Sequence, residues 1–141
     1  MGRIMAIDYG QKRVGIAVTD PERIIATGLK TIPSSEIFSF LDEYLLNETV
    51  DCIVVGEPLQ MDNTPSQASR FIEPFVKKLK KNYPTMLLER MDERFTSKIA
   101  AQTILAGGLK KKSRQNKSLV DTVSATIILQ SFMESNPGFN L

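Results

Sequence analysis

The chain has 141 residues, 42% apolar and 24% charged, with a formal net charge of +2. This is the size and balance of one globular domain that buries its own core, and residues 1–135 are expected to form it, with a loose tail over 136–141. With no histidine and one cysteine, Cys52, the sequence excludes a disulfide framework, a zinc site and His-based nucleophilic catalysis. Any chemistry must come from carboxylates, lysines or a bound metal.

In chain order, Arg3 to Asp8 reads as a strand, and Tyr9-Gly10-Gln11-Lys12 as a tight turn in which Gly10 is available for a positive φ. Arg13 to Thr19 alternates Val14, Ile16 and Val18 and reads as the partner strand of a hairpin. Asp20-Pro21-Glu22-Arg23 is a second turn, and Ile24 to Ile32 a weaker third strand. Pro33-Ser34-Ser35 then opens a helix carrying Ile37, Leu41, Tyr44 and Leu45 on one face. Val50 to Gly56, VDCIVVG, is a mainly apolar run flanked by turn signals and reads as a strand buried on both sheet faces. Thr64-Pro65-Ser66-Gln67 has the pattern of a helix start, and the helix that follows carries Pro74 in its interior, where a kink or break is expected. Thr85 to Arg90 is a fifth strand, Thr96 to Ala106 a helix closed by Gly107-Gly108, and Leu119 to about Glu134 a last helix. The order βββαβαβαα predicts an α/β fold: an antiparallel three-strand meander extended by parallel strands, with helices on its faces.

The acids fall where strands end. Asp8 closes the first strand, Glu57 follows the buried strand, Asp92 and Glu93 follow the fifth, and Asp121 lies at the start of the last helix. If strands one, four and five are parallel neighbours, these groups emerge at one sheet edge, where open α/β sheets bind ligands. Clustered carboxylates repel one another, and a divalent cation with oxygen ligands, Mg²⁺ or Mn²⁺, resolves the conflict. Each acid also has an ordinary use. Asp8 can start the Tyr9-Gly10 turn, Asp121 can favour a helix N-terminus, and Glu93 can pair with Arg90 or Arg94.

Two basic runs stand out against the small net charge. Leu109 to Ser118 holds five cations and no acid (Lys110, Lys111, Lys112, Arg114, Lys117), and Val76 to Lys81 holds four more. Either run is a solvated face or a footprint for a phosphate backbone.

The stretches IMAIDYGQKRVGIAVTD, IVVGEPLQMDNT, MDERFTS and KSLVDTVSATIILQ, in this order along nearly the whole chain, resemble the YqgF family, the RuvX-like proteins of bacteria. The resemblance implies an RNase H-like fold with a mixed five-stranded sheet. It implies a nuclease that trims the 5′ end of precursor 16S ribosomal RNA, with Holliday-junction resolution on branched DNA as the alternative. It also implies Asp8, Glu93 and Asp121 as the catalytic, metal-binding carboxylates. Where the family commonly has an apolar residue after the glycine of VVGxP, this chain has Glu57, which becomes a fourth candidate ligand or a group that tunes the site. On this reading Lys12, Arg13 and Arg94 contact phosphates, and Lys110, Lys111, Lys112, Arg114 and Lys117 form a basic arm that binds nucleic acid. Gly10 and Gly15 allow close approach of backbone or phosphate.

Two rivals remain at this level. DYGQKRVGIAV also resembles the first phosphate loop of actin-like and sugar-kinase ATPases, but those proteins close two such domains on a nucleotide and this chain has the length of one. A non-catalytic nucleic-acid-binding module would use the same basic residues without the acids. No membrane-spanning segment, signal peptide or myristoylation motif is seen, so the expected location is the cytoplasm, as monomer or dimer.

Overall fold

The computed structural model describes residues 2–57, 69–93 and 117–136. The strands are β1 (Arg3–Tyr9), β2 (Arg13–Thr19), β3 (Ala26–Pro33), β4 (Val50–Glu57) and β5 (Leu87–Asp92). The helices among the described residues are α1 (Ile37–Asn47), entered through one 3-10 turn at Ser34–Glu36, α2 (Ser69–Asn82) and α3 (Lys117–Ser135). The sheet order is β3-β2-β1-β4-β5. β1, β2 and β3 form the antiparallel meander, and β4 and β5 extend it in parallel from β1. The mixed sheet expected from the sequence is the one observed. The expected helix over Thr96 to Ala106, the helix start at Thr64 to Gln67 and the tail beyond residue 136 lie outside the described residues.

Alternation along the central strands divides the core. Met5 and Ile7 of β1 and Ile53 and Val55 of β4 face one way, packing on Ile37 and Leu41 of α1 and Ile72, Phe75 and Leu79 of α2. Ile4, Ala6, Cys52 and Val54 face the other way, onto Ala125, Ile128, Leu129 and Phe132 of α3. Cys52 is fully buried, which pushes its thiol up to about 12 and makes it the inert apolar filler expected. On the α3 side the small residues Ala6, Ala17 and Gly28 allow close packing. A side chain at Gly28 would collide with the Thr122 methyl, and the Thr122 and Thr31 hydroxyls share a hydrogen bond of 2.7 Å.

Three local expectations are corrected. The third strand begins at Ala26 rather than Ile24, because Asp20 Oδ1 accepts the amides of both Ile24 and Ile25 at 2.7 Å. This carboxylate-centred turn leaves those two side chains exposed, and the backbone hydrogen bonds hold the Asp20 carboxyl below its usual range. The fifth strand begins at Leu87 rather than Thr85, since the Met86 amide donates to the Tyr83 carbonyl and commits Pro84 and Thr85 to a turn. Pro74 does not break its helix, because α2 runs from Ser69 to Asn82 across it. Pro74 is on the exposed side, where water can satisfy the carbonyl that loses its amide partner.

A candidate active site at the end of the parallel strands

Asp8 is the penultimate residue of β1 and pairs across to Gly15 of β2, which pairs in turn with Thr31 of β3. On its other side, the Ile7–Val55 pairing sets Asp8 level with Gly56 of β4. By alternation this cross-sheet row faces α3. Gly15, a buried residue, contributes no side chain between Asp8 and Thr31. Gly10 serves differently. Its amide donates to the Arg13 carbonyl at 2.9 Å, and a Cβ there would sit 2.6 Å from that oxygen. Its φ is not positive, and among the described non-glycine residues the left-handed one is Arg23, at 60°.

Glu93 follows β5 directly, and its carboxyl group lies over the bare backbone of Gly56. A Cβ built on Gly56 would be 2.9 Å from Glu93 Cδ, 3.1 Å from its Oε2 and 2.9 Å from Ile128 Cδ1 of α3. Glu93 thus sits in the space a side chain at 56 would take, against an apolar helix residue. This burial, with Asp8 nearby, pushes the carboxyl up to about 7, against a smaller downward pull from Arg90. Gly56→Ala is therefore expected to displace Glu93. It should cost about 1–3 kcal/mol of stability, read by denaturant unfolding, and lower activity at least about tenfold.

Glu57 and Asp92 pair in register one step further along and face the opposite way, toward α2. Arg90 governs that side. Its guanidinium lies 2.9 Å from Glu73 of α2 and 3.8 Å from Glu57, and it donates to the carbonyls of Val55 and Gly56 at 3.3 Å. The structure therefore brings Asp8 and Glu93 together and places Glu57 with Arg90, across the sheet from them. Asp121 is the fifth residue of α3, not a first-turn residue as expected, and it precedes Thr122, whose hydroxyl is bonded to Thr31 in the row of Asp8. The helix backbone thus passes over that row, and the Asp121 side chain lies outside the described residues. Lys12 and Arg13 stand at the β1–β2 turn, at the same end of the sheet. Arg94, Lys110, Lys111, Lys112 and Arg114 lie outside the described residues, and Lys117 is described only as the first residue of α3.

Sequence reasoning missed Gly56 as the seat of Glu93 and Arg90 as the clasp on β4. The alternation of Cys52, Val54 and Gly56 against Ile53, Val55 and Glu57 carried part of the signal, but the strand register carried the rest. Among the described residues no three His, Cys, Asp or Glu side chains gather as a metal site. The pair that does gather fits one, because a buried carboxyl held up by a neighbouring carboxylate offers hard oxygen donors whose repulsion a divalent cation would relieve.

A family model described as "RuvX: Holliday junction resolvase" matches residues 2–135. The chain belongs to the RuvX family. A relative from Flavobacterium psychrophilum, named "Putative pre-16S rRNA nuclease", is 57% identical over 133 residues, covering 94% of this chain and 97% of its own. One of the same name from Bacteroides fragilis is 56% identical over 135 residues, covering 96% and 98%. Membership makes this RuvX chain a nuclease, a hydrolase acting on nucleic acid. Among solved structures it is similar to Thermus thermophilus RuvC in complex with a Holliday junction substrate, with a TM-score of 0.57 at 15% identity over 96% of this chain and 98% of that one. A fowlpox virus resolvase bound to Holliday junction DNA gives a TM-score of 0.58 at 12% identity, covering 94% and 97%. At these identities the likeness shows the RNase H-like fold of the RuvC type. Among the described residues no helix is long and apolar enough to cross a membrane.

Proposed function

We propose that this RuvX protein is a divalent-metal-dependent nuclease that processes the 5′ end of precursor 16S ribosomal RNA in the cytoplasm, with Asp8, Glu93 and Asp121 as its catalytic carboxylates. The observation that carries the reading is the Glu93 carboxyl seated on Gly56 and raised to about 7 by burial and by Asp8. Structural ion pairs lower a carboxyl, whereas burial with a second acid beside it raises one, and such a group suits a site that takes a cation. Bound there, Mg²⁺ or Mn²⁺ would lower the pKa of a water and neutralise charge building on the phosphate. The chain's own part is to hold Asp8 and Glu93 on rigid strand ends and to supply Asp121 from α3, the helix that crosses the same face of the sheet. Lys12, Arg13 and Arg94 would steady phosphates beside the scissile bond. Glu57 acts through Arg90, fixing the end of β4, rather than as a ligand.

The deciding experiment is cleavage of a precursor 16S 5′-leader RNA beside a four-way DNA junction, with Mg²⁺ or Mn²⁺. Cutting of the RNA supports the proposal. Cutting of the junction alone, by a protein that sediments as a two-fold dimer, would move the function to the resolution named for the family model. Binding without cutting of either would move it to a non-catalytic module. The basic segment is expected to act through phosphates. Charge reversal at Lys110, Lys111 and Lys112 should weaken RNA binding and flatten the slope of log K against log salt by about one for each phosphate no longer neutralised. An unchanged slope in a salt titration would make the segment a solvated loop.

A further inference from the structure

On the α1–α2 face, beside the end of β1, a cleft of about 290 Å³ is lined by aromatic rings. Tyr9 stacks on Phe75 with centroids 4.2 Å apart and planes 10° from parallel, and Phe38 meets the same Phe75 ring at 5.6 Å. Phe75 is core, at 4% exposure, but Phe71, one turn earlier on α2, is 42% exposed at the rim. Lys78 holds its Nζ 4.7 Å from the centroid of Phe38. Core packing explains Phe75 and Tyr9. It does not explain an open aromatic rim with a lysine poised over it.

We infer that this cleft receives an unpaired nucleobase of a single-stranded nucleic acid whose backbone crosses the sheet edge at Asp8. The inference rests on the nuclease reading above and names its substrate class. Tyr9 directly follows Asp8, and alternation turns Tyr9 to the cleft and Asp8 to the α3 face, so the two sites meet at one strand end. The corner between them is built, since the Ser34 amide donates to the Lys12 carbonyl at 3.0 Å and Ser34 lines the cleft. A base offers a π-face to Phe71 and Phe38, and its phosphates meet Lys78 and the neighbouring exposed Lys77 and Lys81 of α2. The nearby acid of α2, Glu73, is drawn away by Arg90 at 2.9 Å. A base within a duplex has both faces already stacked and cannot enter. The cleft therefore selects unpaired strands over duplex, and the basic run of α2 gains a use beyond solvation.

The test measures binding of a labelled single-stranded RNA and of the same RNA in a duplex, by fluorescence anisotropy in the Asp8→Asn protein so that the RNA survives. Phe71→Ala is expected to weaken single-strand binding about tenfold and leave duplex binding unchanged. Phe71→Trp should restore the affinity, and as the sole tryptophan of the chain its emission should fall on adding the single strand and not the duplex. Equal loss on both RNAs, no loss on either, or an unresponsive tryptophan would overturn the inference. Cleavage by the parent protein reports separately. Asp8-dependent cutting with an indifferent Phe71→Ala removes the cleft and leaves the nuclease reading, whereas single-strand-selective loss without any cutting keeps the cleft and removes the nuclease reading.

Discussion

Asp8→Asn is expected to lower the rate of RNA cleavage about 100- to 1000-fold, the range found on removing one group of a preorganised charge-stabilising site. Asparagine keeps the size and hydrogen-bonding reach of the residue at the end of β1 and removes its charge. The fold should not suffer. Asp8 is one of the groups that push the Glu93 carboxyl up, so removing its charge relieves a repulsion, and the metal-free variant should melt no lower than the parent at pH 8. Single-turnover cleavage in Mg²⁺, beside a thermal melt without it, makes both measurements. Activity within about tenfold of the parent would remove Asp8 from the chemistry. A large fall in melting temperature would mean that Asp8 serves the fold, as an acid that merely starts the Tyr9-Gly10 turn would.

Without divalent cations, stability is expected to fall as pH rises from about 4.5 to about 7. Glu93 has its folded-state pKa raised from 4.5 to about 7. A group raised in this way contributes stability that is complete below its unfolded pKa and lost as pH climbs through its folded pKa. The span corresponds to on the order of 3 kcal/mol, or roughly 10 °C in melting temperature for a domain of this size. The Asp20 carboxyl, shifted downward, and the Cys52 thiol, shifted to about 12, titrate outside that window. Glu93→Gln should flatten the curve. Mg²⁺ should restore stability at pH 8 and do little at pH 5, where a proton already occupies the carboxyl. Melting curves at a series of pH values, with and without Mg²⁺, test this directly. A parent curve as flat as that of Glu93→Gln would show that the carboxyl is not held up by burial and by Asp8.

Much of the fold is legible in the chain itself. Val14, Ile16 and Val18 alternate because one face of β2 is core, and Cys52 to Gly56 is without a polar side chain because β4 lies between two strands and beneath helices on both sides. Those are local consequences of burial, and burial leaves a period in the sequence. The turns at Asp20 and Thr85 differ from expectation by two residues each, because a side-chain or carbonyl acceptor captures amides that propensity alone assigns to a strand. Pro74 differs because its cost depends on whether the freed carbonyl reaches water, which the packing of α2 decides.

The site divides in the same way. The residues in their linear order establish that acids stand at the ends of strands, that no histidine or second cysteine could replace them, and that four motifs resemble one family. The resemblance singles out Asp8, Glu93 and Asp121 among those acids, but the linear order by itself does not say which of them meet or on which face Glu57 falls. Side chains alternate with a period of two, so a shift of one residue in the β1–β4 register would exchange Gly56 for Glu57 beside Asp8. That register is fixed in three dimensions alone. It seats Glu93 on the bare backbone of Gly56 under Ile128, and it turns Glu57 to Arg90 on the opposite face. Register is set by how two distant apolar faces pack on α2 and α3 together, a long-range condition that no single stretch of the chain contains.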